Sequence, residues 1–314
     1  MTVAAVLLVY AACAGTLGAR MLGRARWPAR APLLAIITYL AAAWSVVAAL
    51  GLAGLTLAVH ATALGSELSQ LIGACVLRLR DAYATPGGAT AAGLGLTLAG
   101  AVMARAVVTA VTHLRAVRQQ TLRHAQTARL VGHPEPTLGA VLIDHDQPVA
   151  YCIAGPHPTV ILTTAAVRTL DPDQVDAVLA HERAHLANHH HRLLAIARIG
   201  RQILPFLPLM RDADTQITRL VEMHADDAAT ADRDTRPLAT ALVVLAAAGP
   251  APGLAAAATD AVQRIQRLLR PAEPLSRIRR QLLHAGAAAL ALTPVLLALT
   301  PAIVALALGR VPAA

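Results

Sequence analysis

Four stretches without a charged side chain constrain this chain more than any other feature: Thr2–Ala19, Ala31–Val59, Ala82–Ala104 and Ala285–Gly309. A helix needs roughly 20 apolar residues to cross the hydrocarbon core of a bilayer, at 1.5 Å per residue. The expected fold is therefore a mainly α membrane protein, with helices near 2–19, 33–58, 89–111 and 285–309. Pro86, Gly87 and Gly88 interrupt the third stretch, so its helix is predicted to start near Ala89. It then runs past Arg105, whose long stem can snorkel to the interface. Arginines follow the first stretch instead of preceding it, which predicts a retained span, not a cleaved signal peptide. Only 14% of residues are charged, against about 25% in a soluble domain. Disorder is excluded by the same number. Three scattered cysteines, Cys13, Cys75 and Cys152, exclude a disulfide-stapled fold.

Arginines near the span ends set the expected orientation. Arg20, Arg24, Arg26 and Arg30 follow span 1, Arg115, Arg118, Arg123 and Arg129 follow span 3, and Arg277, Arg279 and Arg280 precede span 4. An outside N-terminus puts all three groups in the cytoplasm of a multi-pass protein of the cell membrane. All 27 basic residues are arginine, a composition typical of GC-rich bacterial genomes. Three units follow: a membrane domain over 1–112, a cytoplasmic domain over 113–284, and a fourth span with a short tail over 285–314. The cytoplasmic domain holds 16 of the 18 acidic residues. The net charge of +9 thus reflects lipid-headgroup contact and topology, and no direct nucleic-acid partner is expected.

Within the cytoplasmic domain, 113–131 reads as a polar continuation of the third helix, broken at Gly132-His-Pro-Glu-Pro136. Short β-type runs at 140–143, 149–153 and 159–163, separated by turn-forming segments, predict a small antiparallel sheet. A helix start then follows: Asp171 as cap, Pro172 at the first position, Gln174 to complete a capping box, Leu170 and Val175 as a staple. Residues 193–210 read as a broken or interfacial helix, a candidate fifth membrane element. A second amphipathic helix is expected over about 214–231, and residues 60–88 are expected to hold a short amphipathic helix.

The capped helix carries His181-Glu182-Arg183-Ala184-His185. Two histidines at i and i+4 share a helix face and can bind one zinc ion. Glu182, beside the first ligand, can take a proton from a water at the open position. The next helix offers Glu222-Met-His-Ala-Asp226: Glu222 as the third ligand, Asp226 as the acceptor that orients a ligand imidazole. His189 lies four residues after His185, but a run such as His189-His190-His191 is more often a solvated helix end. His224 is expected to pack beside the site or face solvent. Asp144, Asp146, His145 and His157 read as turn residues, and Cys152 as a small core residue.

His181-Glu182-x-x-His185 on one helix, Glu222-x-x-x-Asp226 on the next, and a β-run ending in Thr163-Thr164 resemble membrane-embedded zinc peptidases. The layout is most similar to the BlaR/MecR type of antibiotic-sensing peptidase, with the HtpX and CAAX-prenyl peptidases as relatives. The resemblance implies a zincin-like α+β peptidase domain holding one Zn2+ through His181, His185 and Glu222. It makes Glu182 the general base and Asp226 the orienter. It also implies a peptide or protein substrate laid along an edge strand, for which Thr159, Val160, Ile161, Leu162 and Thr163 are expected. The partner implied is a winged-helix repressor of the BlaI type. About five residues follow span 4 in this sequence, so no extracellular penicillin-binding domain is expected. The alternatives are a membrane quality-control protease of HtpX type, and a non-proteolytic signal transducer that uses the metal structurally.

Overall fold

The computed structural model describes residues 3–58, 88–248, 255–270 and 273–308. The amphipathic helix expected over 60–88 falls, except for Gly88, outside them. Among the described residues, four helices are long and apolar enough to cross a membrane. They are α1 (Val3–Arg24, with a π-helical turn at Ala14–Gly18), α2 (Pro32–Ala58), α3 (Gly88–Val131) and α10 (Arg277–Leu308, with Pro294 and Pro301 inside). The helix α2 is the hub, packing on α1, α3 and α10 and burying Ile36, Tyr39 and Val46. At Gly54 a Cβ would lie 2.5 Å from Gly95 O and 2.6 Å from Ala99 N. Only a residue without a side chain lets the backbones of α2 and α3 approach this closely.

The second helix also supports the remainder of the chain. Four strands follow α3: β1 (Gly132–Glu135), β2 (Ala140–Ile143), β3 (Ala150–Ile153) and β4 (Thr159–Thr163). Then come α4 (Thr164–Thr169), α5 (Pro172–Ala187), α6 (His190–Ile203), α7 (Pro208–Ala229), α8 (Arg236–Ala248) and α9 (Ala255–Leu269). The inner face of α7, with Ile217, Leu220 and Val221 buried, joins one core with Leu34, Tyr39 and Val46 of α2. Its other face is left for polar groups.

The sheet order is β1-β2-β4-β3. Pairings β1·β2 and β3·β4 are antiparallel, but β2·β4 is parallel. The sheet is therefore mixed, correcting the antiparallel expectation, and β1 is a strand where the sequence suggested only a break. Burial explains the order. In β4, Val160, Ile161 and Leu162 are all buried, and a strand apolar on both faces belongs inside a sheet. In β3 only Ile153 is fully buried, and it takes the edge. The expectation that Thr159–Thr163 is the edge strand is thus overturned, because β2 and β3 flank it on both sides. Thr163 N–H donates to Val149 O (3.0 Å), so with Ala150↔Leu162 and Cys152↔Val160 in register, Ala150 and Cys152 turn their N–H and C=O groups to the free edge.

Helix α5 begins as its sequence dictates. Gln174 N–H donates to Asp171 Oδ1 (2.8 Å) and Asp171 N–H to Gln174 Oε1 (3.1 Å). Val175, Val178 and Leu179 bury its apolar stripe against β4 and α8. Arg183 Nη2 donates to Leu138 O (2.6 Å), tying the β1–β2 turn to the helix. The segment 193–210 divides into the end of α6, an irregular Leu204–Leu207, and the start of α7 at Pro208. Helix α6 is not among the four helices long and apolar enough to cross a membrane. Arg105 has partners within the protein: its Nε donates to Ile203 O (2.6 Å) and its Nη2 to Gln202 O (2.7 Å), satisfying carbonyls at the C-terminus of α6 that helix geometry leaves open.

Candidate metal centre

Helices α5 and α7 pack against each other, and their facing turns bring three metal-ligating side chains together. Ligand atoms of His181, His185 and Glu222 all lie within 4.8 Å of one another. His181 Nε2 is 3.1 Å from His185 Nε2 and 3.5 Å from Glu222 Oε2, and His185 Nε2 is 3.6 Å from Glu222 Oε1. Two Nε2 atoms and a carboxylate thus converge on one point, a donor set that suits zinc.

The groups behind the triad differ on its two sides. His181 Nδ1 lies 3.1 Å from Asp226 Oδ1, with Asp226 completely buried. Arg264 of α9 grips that carboxylate with two bonds, Nε to Oδ2 (2.8 Å) and Nη2 to Oδ1 (2.7 Å), while its Nη1 lies 2.9 Å from Glu222 Oε2. Burial would lift the pKa of both carboxyls, but His181 and Arg264 outweigh it and hold each down to about 2. Burial likewise pushes His181 down, yet Asp226 and Glu222 prevail and raise it to about 9. On the other side His185 is lowered to about 4, chiefly by burial. Its Nδ1 meets His190 Nδ1 at 3.0 Å, and His190 Nε2 meets His224 Nδ1 at 2.8 Å.

Glu182 lies beside the triad, and burial raises its pKa. Its neighbour on the sheet edge is Cys152, whose thiol hydrogen-bonds it and is pushed up to about 12 by burial and by that carboxylate. A cleft of about 390 Å³ opens here, lined by Thr121 and His124 of α3, Tyr151 and Cys152 of β3, and His185 and Leu194.

Every residue singled out for the site is accounted for. His181, His185, Glu222 and Asp226 come together as their spacing implied, and Glu182 adjoins them. Thr159–Thr163 lies one strand further in, with β3 between it and the free edge. Asp144 accepts a hydrogen bond from Thr164 Oγ1 (2.9 Å), in keeping with a turn residue. Cys152 is more than core filler. Arg264 had no signal of its own: it stands 38 residues beyond Asp226 on a helix whose packing no local pattern reveals. His190 had a misleading one, since the i+4 spacing pointed to His189. That residue adopts φ 51°, which ends the helical register and leaves His189 exposed while His190 turns inward.

Residues 112–272, just over half of the chain, match peptidase family M48. The chain belongs to this family. No curated protein and no solved structure matches it. The M48 match encloses the candidate metal-holding triad, Glu182, Asp226 and Arg264. M48 peptidases are generally zinc-dependent, and the donor set described above fits that metal. The match supports a metallopeptidase and stops there: neither the BlaR/MecR type nor any substrate is part of it.

Proposed function

We propose that this chain is a zinc-dependent integral membrane endopeptidase. In this reading the four apolar helices cross the lipid with the N-terminus outside, and the arginine-rich flanks keep the peptidase domain in the cytoplasm. One observation carries the chemistry: two imidazoles and a carboxylate converge within 4.8 Å, with a second carboxylate, Glu182, alongside. His181, His185 and Glu222 hold the metal, which supplies Lewis acidity to a water and to the scissile carbonyl. Glu182 accepts a proton from the attacking water as its oxygen adds to the carbonyl carbon. It then returns that proton to the nitrogen as the C–N bond breaks. Burial, which makes Glu182 a stronger base than an exposed carboxylate, favours the first transfer. Asp226 and Arg264 orient His181 and Glu222.

The substrate lies extended along β3. The outward N–H and C=O groups of Ala150 and Cys152 pair with its backbone, replacing the role first expected of β4. Backbone pairing reads little side-chain identity, so the cleft suits protein segments of varied sequence. This favours a quality-control role over a dedicated repressor, although cleavage of a winged-helix repressor uses the same site and the same strand.

The decisive experiment compares wild type with Glu182→Gln in the full-length protein. Zinc content stays equal while hydrolysis of an unstructured protein substrate falls by about 10²–10⁴-fold. Unchanged turnover rejects the assigned base. Comparing the membrane and cytoplasmic proteomes of strains carrying each form separates the two roles: many stabilised proteins indicate quality control, a single repressor indicates regulation.

A further inference from the structure

His190 takes no part in the triad, yet it is 1% exposed, and a polar ring is rarely buried so fully without partners. Both its nitrogens are engaged, Nδ1 with His185 at 3.0 Å and Nε2 with His224 at 2.8 Å. The two nitrogens of His185 point to different tasks. Nε2 faces His181 and Glu222, and Nδ1 faces His190.

Counting protons gives this chain of rings a direction. An imidazole that binds a metal through Nε2 carries its hydrogen on Nδ1. His185 Nδ1–H must then donate to His190 Nδ1, so the hydrogen of neutral His190 sits on Nε2 and donates to His224 Nδ1. With neutral rings no other arrangement satisfies both contacts. The left-handed turn at His189 (φ 51°) makes this geometry: it ends α5 and restarts the chain so that the first residue of α6 lies behind the last ligand of α5. His190 cannot itself be a ligand of the same ion, because its two nitrogens are already directed to His185 and His224.

We propose that His190, seated by His224, is the positioning residue for His185: it fixes the plane of that ring and accepts its Nδ1–H when Nε2 binds the metal. The proposal rests on the zinc-peptidase reading and adds to it a second orienting partner, distinct from Asp226. The neutral acceptor does for His185 what the carboxylate does for His181.

The test measures zinc affinity of the full-length protein by competition with a chromophoric chelator, together with the melting temperature of the zinc-free form. His190→Phe keeps the ring but removes both nitrogens, and its zinc Kd is expected to rise by about 10–100-fold. The zinc-free melting temperature is expected to stay that of wild type. His190→Asn restores an acceptor where Nδ1 stood and returns the Kd to within about threefold of wild type, while His224→Phe raises it by about 3–10-fold. Wild-type affinity in His190→Phe overturns the proposal, as does a loss of affinity that Asn fails to restore. If the Phe variant does not fold, wild-type affinity in His224→Phe overturns it instead. His185→Ala separates the two levels. Zinc retained in that variant defeats the triad and this proposal together; zinc lost there but held normally by His190→Phe defeats the proposal alone.

Discussion

His181 and His185 project from successive turns of one helix toward one point, yet the groups behind them share nothing. Behind His181 stand a fully buried carboxylate and the guanidinium that clamps it, Asp226 and Arg264. Behind His185 stand two imidazoles, His190 and His224. The electrostatic consequences are opposite. Despite burial and Arg264, Asp226 and Glu222 lift the pKa of His181 to about 9, whereas burial takes that of His185 down to about 4. One flank therefore stabilises positive charge on His181 and ties three helices together, because Glu222 and Asp226 come from α7 and Arg264 from α9. The other flank supplies direction without charge. A metal site can divide attraction from aim, and the two should respond differently to damage.

The sharpest way to break this comparison is Asp226→Ala. Removing Asp226 leaves Arg264 with Glu222 alone and His181 Nδ1 without its acceptor, and breaking a buried pair costs about 3–5 kcal/mol. Chemical denaturation of the zinc-free protein should show a loss of that size, with zinc affinity lowered as well. His190→Phe, on the opposite flank, should leave zinc-free stability alone. Equal destabilisation by the two would erase the distinction.

Acid offers a second, milder probe. Asp226 is held at about 2, against an ordinary value of 3.8. A depressed folded-state pKa stabilises the fold above the unfolded value and loses that effect as pH falls through the folded one. Zinc-free protein should lose about 2 kcal/mol between roughly pH 4 and pH 2 from this group. Asp226→Asn should lack that component. A pH profile identical in both proteins would mean that the clamp does not bias Asp226.

The smallest effect tests whether the helix, as opposed to its flanks, sets the site. Asp171→Ala removes the capping box ten residues upstream of His181, which costs about 1 kcal/mol. Stability should fall by that amount with zinc affinity unchanged, as read by denaturation and chelator competition.

How legible these features were depends on how far apart the interacting residues lie. The start of α5 was readable because Asp171, Pro172 and Gln174 act within one turn. The triad was readable because i, i+4 spacing on α5 and α7 aligns each pair before any tertiary contact is known. Glu222 and Asp226 could be matched to the histidines because their residue types fit the task. The position of β4 was misread since an apolar run declares burial but not which strands flank it; its three buried residues in fact argue for the centre. His190 was missed because one left-handed residue shifts the periodicity, and backbone dihedrals at His189 leave no composition signal. Arg264 was invisible for the same reason as Arg105: each meets its partner through packing of helices distant in the chain.

The long helix α3 carries a mechanical consequence. Its 44 residues amount to about 66 Å, roughly twice the hydrocarbon thickness of a bilayer. In the proposed reading its apolar half lies in lipid beside α2, while Thr121 and His124 toward the far end form a wall of the cleft facing β3. A stiff rod pivoting by about 5° at its midpoint would swing residues 121–124, about 17–22 Å away, sideways by about 1.5–2 Å. Under the proposed membrane-spanning reading, a change in the tilt of α3 would therefore reach the gap between α3 and β3 where a substrate must enter.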